Sequence, residues 1–195
     1  MICWCLDAIV RADRVDRAVI AAPSGYVEEM IGLAPKGLEV EVVEGGETRT
    51  DSVAAALGQA ETDLVVVHDA ARPLVTTELI DTVIERLVES EGVDGVIAAT
   101  PLTDTVKLVS RGKGRISRTE RRDELWAAQT PQAFRSEPLR AAHAAPPRGR
   151  VTDDAMLVEH AGGVVLVEPG PPSNLKVTTP DDLHLAELLL SARDG

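Results

Sequence analysis

The stretch Leu64–Pro73, with the sequence LVVVHDAARP, decides the fold. Its first four residues are a continuous aliphatic run, which is typical of a strand buried on both faces of a parallel sheet. A polar loop follows at once and puts Asp69 and Arg72 just beyond the end of that strand. Because ligands of parallel α/β sheets bind beyond the carboxyl ends of the strands, this loop is a candidate site.

Similar aliphatic runs alternate with helical patterns on both sides of this stretch. Residues 17–22, 38–44 and 95–99 are predicted strands, each bounded by glycine or proline. Helices are predicted at residues 2–12, at 52–60 behind Thr50 or Asp51, and from Thr76 or Thr77 to about residue 88. This alternation predicts an α/β fold with right-handed crossovers and a mostly parallel sheet.

The pattern changes after Pro101. A strand is predicted at 105–110, followed by a basic stretch, Arg111 to Arg122, and by a returning strand at 125–129 that ends before Pro131. The basic stretch has almost no apolar side chains, so we expect residues 105–130 to project from the core as an arm. The remaining predictions are helices at 136–144, at 152–160 behind Thr152 and from Pro180 behind Thr179, a strand at 164–168 and an extended segment at 174–178.

The composition fits one domain that spans residues 1–195. The net charge of −12 argues against a broad nucleic-acid or membrane surface, so any phosphate site must be a local basic cluster. Cys3 and Cys5 are interpreted as reduced thiols, since disulfide frameworks need more cysteines. We find no secretory signal and no run of transmembrane length, and the cytoplasm is therefore the expected location.

Four groups of polar residues carry candidate chemistry. In the first, Asp69 can bind a ribose hydroxyl or lie near a metal, and Arg72 can bind phosphate through two N–H groups. The alternative is a structural Asp69–Arg72 pair that closes the turn, and His68 is interpreted as a packed, hydrogen-bonded histidine rather than a base. In the second group, Gly45 to Ser52, two glycines precede a helix N-terminus, where backbone N–H groups can approach a nucleotide.

The third and fourth groups each combine a cation with hydroxyl groups, which suits a phosphate monoester. The third joins Asp104–Lys107 and Arg121–Arg122 to Leu125–Gln132, and the fourth joins Val151–Asp154 to Ser173–Thr178. Taken singly, Lys107, Arg122 and Lys176 are more typical of solvated surface charges.

Together and in this order, the four groups resemble one family, the 2-C-methyl-D-erythritol 4-phosphate cytidylyltransferases of the non-mevalonate isoprenoid pathway. The resemblance covers essentially the whole chain, and its matching stretches are 45–52, 68–73, 104–107, 125–132, 152–159 and 174–187. It implies a homodimer of Rossmann-like subunits, in which helices flank the sheet and the arm hooks onto the second subunit.

The resemblance also implies roles for individual residues. The predicted catalytic residues, which would orient the substrate phosphate, are Arg122 and Lys176. The predicted nucleotide-binding residues are Gly46, Glu47, Ser52 and Ala70, and Glu47 stands where members of the family often have Asp. The junction between nucleotide and substrate would be faced by Asp69, Arg72 and Thr152. The substrate of the second subunit would be reached by Thr105, Arg122 and Thr130.

The implied reaction is transfer of a cytidylyl group from CTP to 2-C-methyl-D-erythritol 4-phosphate. A phosphate oxygen of the polyol attacks the α-phosphorus of CTP and pyrophosphate leaves, so the reaction needs no protein nucleophile. Cations and Mg²⁺ offset the repulsion between the two polyanions, and we expect Mg²⁺ to be bound mainly through the CTP phosphates. No protein ligand to the metal is predicted.

Chains of this family begin with a buried strand and a Gly-rich loop whose Arg and Lys grip the triphosphate, and nothing in this sequence matches them. The domain is therefore expected to be incomplete at its N-terminus, the strand at 64–67 to lack a neighbour on one side, and the chain as given to transfer little or no cytidylyl group. Two alternatives stay open. One is a cytidylyltransferase for another polyol phosphate such as ribitol 5-phosphate, and the other is a non-catalytic remnant.

Overall fold

The fold is that of a computed structural model, which describes residues 1–110, 112 and 114–193. Its helices are α1 (Ile2–Ile9), α2 (Val27–Gly32), α3 (Arg49–Leu57), α4 (Thr77–Glu89), α5 (Ser136–Ala144), α6 (Asp154–His160) and α7 (Pro180–Ser191). Its strands are β1 (Arg17–Ala22), β2 (Glu39–Glu44), β3 (Leu64–Val67), β4 (Gly95–Pro101), β5 (Lys107–Val109), β6 (Ile116–Thr119), β7 (Trp126–Arg135) and β8 (Val165–Pro169). A single 3₁₀ turn, Arg122–Glu124, precedes β7.

Most predicted elements are present within a few residues of their expected bounds. Helix α4 shows the reason, because the Thr76 side chain accepts a hydrogen bond from the Leu79 N–H at 3.2 Å and caps a helix with one apolar face. The residues of that face are all buried: Leu79, Ile80, Val83, Ile84 and Leu87. Differences are that α1 ends at Ile9 and that α2 was not predicted.

The sheet arrangement differs from the prediction. Strands β3, β7, β4 and β8 form one sheet in that order, whereas β1 and β2 form a separate parallel pair. Strand β7 is antiparallel to both β3 and β4, so the four-stranded sheet is mixed: β3, β4 and β8 run in one direction and only β7 runs in the other. The sequence assigned 125–129 to the arm, but β7 continues to Arg135 in the centre of the sheet.

Pro131 accounts for this difference. Proline interrupts most central strands because it has no N–H to donate to the ladder. Here the pairing of β4 with β7 shifts between Ile97 and Ala99, so residues 129–131 bulge opposite Ala98, and β3 pairs with β7 only from Gln132 onward. The proline therefore lies in the one part of β7 that needs no ladder hydrogen bond.

The core lies on both faces of the four-stranded sheet. Alternate residues of β4 point to opposite faces, with Val96 and Ala98 packed towards α1 and α4, and Ile97 packed towards α3, α5 and α6. Strand β3 follows the same rule, since Val66 joins the first cluster and Val67 the second. The aliphatic run that decided the fold is therefore packed on both sides.

A cleft separates the two sheets. In the residues that the structure describes, β3 pairs only with β7 and β1 only with β2, which confirms that the strand at 64–67 lacks a neighbour on one side. The cleft has a volume of about 600 Å³, is lined by aliphatic side chains of β1, β3 and α1, and reaches Arg49, Ser52 and Asp69.

The hairpin β5–β6 forms the outer part of the predicted arm. Among the described residues its two strands pair only with each other, and Leu108, Val109 and Ile116 are about half exposed. Arg111 and Lys113, which belong to the predicted basic stretch, lie outside the described residues, as do Asp194 and Gly195. None of the helices in the described ranges combines the length and the apolar character needed to cross a membrane.

Candidate active site

Hydrogen bonds to β7 hold the loop that follows β3. The Asp69 N–H donates to Thr130 Oγ1 at 3.0 Å, and the same hydroxyl lies 3.0 Å from His68 Nδ1. His68 Nε2 lies 3.2 Å from the carbonyl oxygen of Arg72. These contacts fit a neutral imidazole that donates from Nε2 and accepts at Nδ1, and burial lowers the pKa of His68 to about 4. The interpretation of His68 as a packed, hydrogen-bonded histidine is confirmed.

Asp69 lies between two cations. Arg49 Nε donates to its Oδ1 at 2.8 Å, and Lys176 Nζ donates to its Oδ2 at 2.7 Å. Burial raises the pKa of Asp69, but the hydrogen bonds from Lys176 and Arg49 outweigh that effect and lower the pKa to about 2. Asp69 is therefore an ionised carboxylate whose two oxygens both point at cations.

The Arg72 side chain is bound by main-chain oxygens. Its NH1 donates to the Asn174 carbonyl at 2.8 Å, and its NH2 donates to the Ala128 carbonyl at 3.2 Å. Burial lowers the pKa of Arg72 from its ordinary value. The described residues contain no Asp69–Arg72 ion pair, so the alternative of a turn closed by that pair is wrong. Arg72 instead joins the β3 loop to the segment that carries Lys176.

The turn before α3 requires glycine because it packs closely against that helix. A Cβ atom on Gly46 would lie 2.2 Å from Asp51 Cβ, and one on Gly45 would lie 2.8 Å from Ser52 Oγ. The Gly46 N–H donates to Ser52 Oγ at 3.2 Å. Thr48 caps the helix through a reciprocal pair of hydrogen bonds with Asp51, so the predicted caps, Thr50 or Asp51, and the predicted start at residue 52 are wrong. Glu47 and Ala70 are exposed beside this turn and the β3 loop.

The start of α6 differs from the prediction in the same way. Asp153, and not Thr152, caps the helix, because its side chain accepts a hydrogen bond from the Met156 N–H at 3.1 Å. Thr152 is exposed, and its hydroxyl lies 3.7 Å from Met156 Sδ. The hydroxyl of Thr152 therefore takes no part in capping the helix.

Two further predicted residues, Thr105 and Arg122, lie at the exposed base of the hairpin. Arg122 NH1 donates to the Thr103 carbonyl at 2.6 Å, whereas Lys176 contacts Asp69. Among the described residues of one chain, the two predicted catalytic residues are therefore not in contact. Thr130 is buried, and its hydroxyl is bound within its own chain. The structure thus brings Asp69, Arg72, Thr130 and Lys176 together and holds Thr105 and Arg122 elsewhere.

Three residues of the site were missed by the sequence analysis as individual candidates: Arg49, His143 and Asp154. Arg49 NH1 donates to Asp154 Oδ2 at 2.8 Å, and His143 Nε2 lies 2.9 Å from Asp154 Oδ1. Arg49 and Asp154 stand inside quoted groups, Gly45–Ser52 and Val151–Asp154, and a second Asp directly after a capping Asp was the available signal. Nothing in the sequence around His143 marks it.

The side chains at this site do not form a magnesium cage. The described ranges contain no group of three or more His, Cys, Asp or Glu residues placed to hold a metal ion. Asp69, the carboxylate that the sequence placed near a metal, has both oxygens bound to cations. Mg²⁺ often keeps only one or two protein contacts and binds through substrate phosphates, which suits a metal that arrives with a nucleotide.

The fold and the site define an α/β protein of the nucleotidyltransferase class, in which cations and backbone N–H groups at strand ends position phosphorylated substrates. Residues 1–192 match the 2-C-methyl-D-erythritol 4-phosphate cytidylyltransferase family, and the chain belongs to that family. The resemblance read from the four groups of polar residues is therefore confirmed.

Relatives and solved structures agree. A 2-C-methyl-D-erythritol 4-phosphate cytidylyltransferase of Rhodococcus jostii is 45% identical over 191 residues, which cover 97% of this chain and 82% of the relative. Another, from Prochlorococcus marinus, is 42% identical over 198 residues, which cover 99% of this chain and 86% of the relative. The crystal structure of the 2-C-methyl-D-erythritol 4-phosphate cytidylyltransferase of Thermus thermophilus superposes with a TM-score of 0.80 at 35% identity, and the match covers 96% of this chain and 87% of that one. The crystal structure of a 4-diphosphocytidyl-2C-methyl-D-erythritol synthase from Anaerococcus prevotii superposes with a TM-score of 0.87 at 29% identity, and the match covers 97% of this chain and 88% of that one.

Proposed function

We propose that this protein transfers the cytidylyl group of CTP to 2-C-methyl-D-erythritol 4-phosphate, giving 4-diphosphocytidyl-2-C-methyl-D-erythritol and pyrophosphate. A phosphate oxygen of the polyol forms a bond to the α-phosphorus, and the bond from that phosphorus to the bridging oxygen of pyrophosphate breaks. The chemistry is an in-line displacement, which depends on positioning and on charge compensation rather than on a protein nucleophile.

The observation that carries this proposal is the cluster around Asp69. Arg49, Arg72 and Lys176 converge on the loop after β3, and the Asp69 carboxylate holds two of these cations by bonds of 2.8 and 2.7 Å. Two phosphorylated substrates can approach each other only where positive charge offsets their repulsion. In a protein of net charge −12, a local cluster of this kind is a strong candidate for that place.

The residue roles follow the family assignment. Lys176 and Arg122 orient the polyol phosphate, and Asp69 and Arg72 face the junction of the two substrates with Thr152 at its rim. The cytidine part of the site is formed by Gly46, Glu47, Ser52 and Ala70. The close packing of Gly46 against Asp51 supports this part of the proposal, because it leaves backbone, without a side chain, at the mouth of the turn. Mg²⁺, bound mainly through the CTP phosphates, would supply further charge compensation there.

A homodimer completes the site in this proposal. Arg122 and Thr105 lie at the base of a hairpin with three exposed aliphatic side chains, and they do not contact Lys176 in one chain. An arm of about residues 105–130 that reaches a second subunit would carry Thr105 and Arg122 to that subunit's Lys176, whereas Thr130, which is buried and bonded to Asp69, stays in the site of its own chain. Sedimentation of the wild-type protein and of Ile116→Asp tests this: we expect a dimer that the substitution weakens, and a wild-type monomer at assay concentration would exclude the shared site.

Release of pyrophosphate from CTP tests the reaction. It is measured with 2-C-methyl-D-erythritol 4-phosphate, with D-ribitol 5-phosphate and with no acceptor, and the Rhodococcus jostii relative serves as the positive control. We expect kcat/KM for the methylerythritol phosphate to exceed that for ribitol 5-phosphate by about tenfold or more, because a polyol site that pairs the substrate's own hydroxyls rejects other patterns. Faster turnover of ribitol 5-phosphate would replace the proposed substrate. No release with either acceptor, while the relative is active, would favour the non-catalytic alternative.

The same assay measures the low rate that the sequence analysis expects of the chain as given, which stays a prediction. A cytoplasmic location and a single domain of residues 1–195 are likewise proposals.

A further inference from the structure

A continuous line of charged contacts runs from the interior of the protein to Lys176. His143 Nε2 and Asp154 Oδ1 are 2.9 Å apart, Arg49 NH1 donates to Asp154 Oδ2 at 2.8 Å, and Arg49 Nε donates to Asp69 Oδ1 at 2.8 Å. Lys176 Nζ then donates to Asp69 Oδ2 at 2.7 Å. These five side chains come from α5, α6, α3 and two loops, so the line joins elements that are far apart in sequence.

The two ends of the line differ in exposure, and its middle members Arg49 and Asp69 are 30% and 15% exposed. Asp154 is 1% exposed and His143 is 5% exposed, whereas Lys176 at the other end is 42% exposed. A buried carboxylate is stable only when it is paired and hydrogen-bonded, so Asp154 fixes the position of Arg49. Arg49 in turn fixes the Asp69 carboxylate. The ends of the line therefore differ in role: the buried end is an anchor, and the exposed end is free to meet a ligand.

His143 stabilises the buried Asp154 carboxylate when the ring proton is on Nε2. Its Nδ1 is buried without a hydrogen-bond partner, while Nε2 faces Asp154. A proton on Nε2 makes that contact a hydrogen bond to the carboxylate and leaves Nδ1 as an unprotonated ring nitrogen, which is the less costly of the two neutral arrangements. Asp154 thus accepts hydrogen bonds at both oxygens, one from His143 and one from Arg49.

We propose that Arg49 is a positioning residue for cytidylyl transfer, which acts on the polyol phosphate through Asp69 and Lys176 without touching the substrate itself. This inference rests on the proposed function. By holding Oδ1 of Asp69, Arg49 sets the orientation of the carboxylate and shares its charge, so that Lys176 is held by one oxygen only and can turn to the incoming phosphate.

Charge balance gives the expected effect of removing Arg49. Arg49, Arg72 and Lys176 carry three positive charges against the two carboxylates of Asp69 and Asp154. In Arg49→Gln the charges are equal, Lys176 is the only cation left on Asp69, and the substrate phosphate must compete with Asp69 for it. The polyol phosphate should therefore bind about tenfold more weakly. The affinity of Arg49→Gln for CTP should differ from that of the wild type by less than about twofold.

Two variants and a matched control test this. Arg49→Gln removes the charge, and Arg49→Lys keeps it but cannot reach both carboxylates with separate N–H groups in fixed directions. Arg14→Gln is the control, because Arg14 also pairs with a carboxylate, Glu85 at 3.2 Å, but on the open surface. Thermal melts verify that each variant folds, and Arg49→Lys keeps the test valid if the Gln variant does not.

The first measurement is the affinity for 2-C-methyl-D-erythritol 4-phosphate by calorimetry, together with separate KM values for this substrate and for CTP. The second is the titration of the Asp69 side-chain carboxyl by ¹³C NMR, which should move to higher pH in Arg49→Gln and stay in place in Arg14→Gln. We expect the Lys variant to lie between wild type and the Gln variant in both. A purely structural role for Arg49 would lower stability and leave the ratio of the two KM values unchanged.

The outcomes separate this inference from the proposed function. If the wild-type protein binds the polyol phosphate but transfers nothing to it, the proposed function fails, and the binding ratio between wild type and Arg49→Gln still decides the role of Arg49. If both Arg49 variants bind the polyol phosphate as Arg14→Gln does, the inference is overturned even in an active enzyme. A shift in the Asp69 titration without weaker binding also overturns it, because the coupling would then not reach Lys176.

Discussion

The glycine at position 46 allows a prediction whose size can be worked from the structure. A Cβ atom there would lie 2.2 Å from Asp51 Cβ and 3.2 Å from the Asp51 carbonyl carbon. Carbon atoms in contact prefer a separation of about 3.5 Å or more, so Gly46→Ala must push the turn and the start of α3 apart by roughly 1 Å. The turn cannot absorb this with a side-chain rotation, because the nearest atoms include the helix backbone.

That shift should break at least one of the three hydrogen bonds between Thr48 and Asp51, which are 3.1, 2.7 and 3.1 Å long. Loss of a helix cap costs about 1 kcal/mol, and forcing a methyl group into a filled space costs about 1–3 kcal/mol. We expect the free energy of unfolding to fall by about 2–4 kcal/mol, which corresponds to a drop of about 4–16 °C in Tm for a chain of this size. Affinity for cytidine nucleotides should fall as well, because the displaced turn carries the Gly46 N–H.

Gly32 provides the matched control, since a Cβ atom there would meet nothing within 4 Å and its φ is not positive. Gly32→Ala should be neutral or stabilising by up to about 1 kcal/mol. Urea unfolding followed by circular dichroism gives both values. A Gly46→Ala protein within about 0.5 kcal/mol of wild type, a range usual for harmless surface changes, would refute the reasoning from close packing.

Three further predictions concern the site. Because the folded pKa of Asp69 lies below its ordinary value of 3.8, at about 2, its ion pairs stabilise the protein above pH 4 and are lost as pH falls towards 2. Asp69→Asn should therefore remove on the order of 2 kcal/mol at pH 7 and flatten the acid limb of a plot of unfolding free energy against pH. Burial lowers the pKa of His68 from 6.5 to about 4, so the unfolded state binds a proton more readily than the folded state between pH 6.5 and 4. The wild-type protein should therefore lose stability as pH falls through that interval. His68→Gln should lose less stability there if its amide replaces both ring contacts. Asn174 is fully buried, and its Nδ2 donates to Gln129 Oε1 at 3.0 Å and to the Thr130 carbonyl at 2.9 Å. Asn174→Ala should therefore lower the free energy of unfolding by about 1–3 kcal/mol in chemical denaturation and weaken binding of the polyol phosphate. Stability equal to that of the wild type would show that other contacts hold the segment that carries Lys176.

The parts of the fold that the sequence predicted are those that it encodes locally. Strand β3 is a continuous aliphatic run, and helices α4 and α7 have a threonine cap followed by a helical pattern. Strand β7 could not be predicted in the same way, since its place in the sheet depends on pairing with strands that are distant in sequence. The caps of α3 and α6 were assigned to a neighbouring residue, because several Thr and Asp side chains compete there and the preceding turn decides which one caps.

The candidate site shows the same division. The loop with Asp69 and Arg72 was predicted because it directly follows β3. The partners of Asp69 were not, since Arg49 is 20 residues away in sequence and Asp154 is 105 residues from Arg49. Family resemblance supplied Lys176 and Arg122, but resemblance names the residues that meet substrate and says little about those that hold them in place.

The cleft between the two sheets also determines how cooperatively the molecule unfolds. Strands β1 and β2 are joined to the rest by side-chain packing, mainly through α3, and in the described residues no backbone ladder links them to β3. Opening this layer breaks no inter-strand hydrogen bonds to the larger sheet, so its amides should exchange with solvent at a lower free energy than those of β4 and β7. Two probes, one in each sheet, should accordingly report different midpoints.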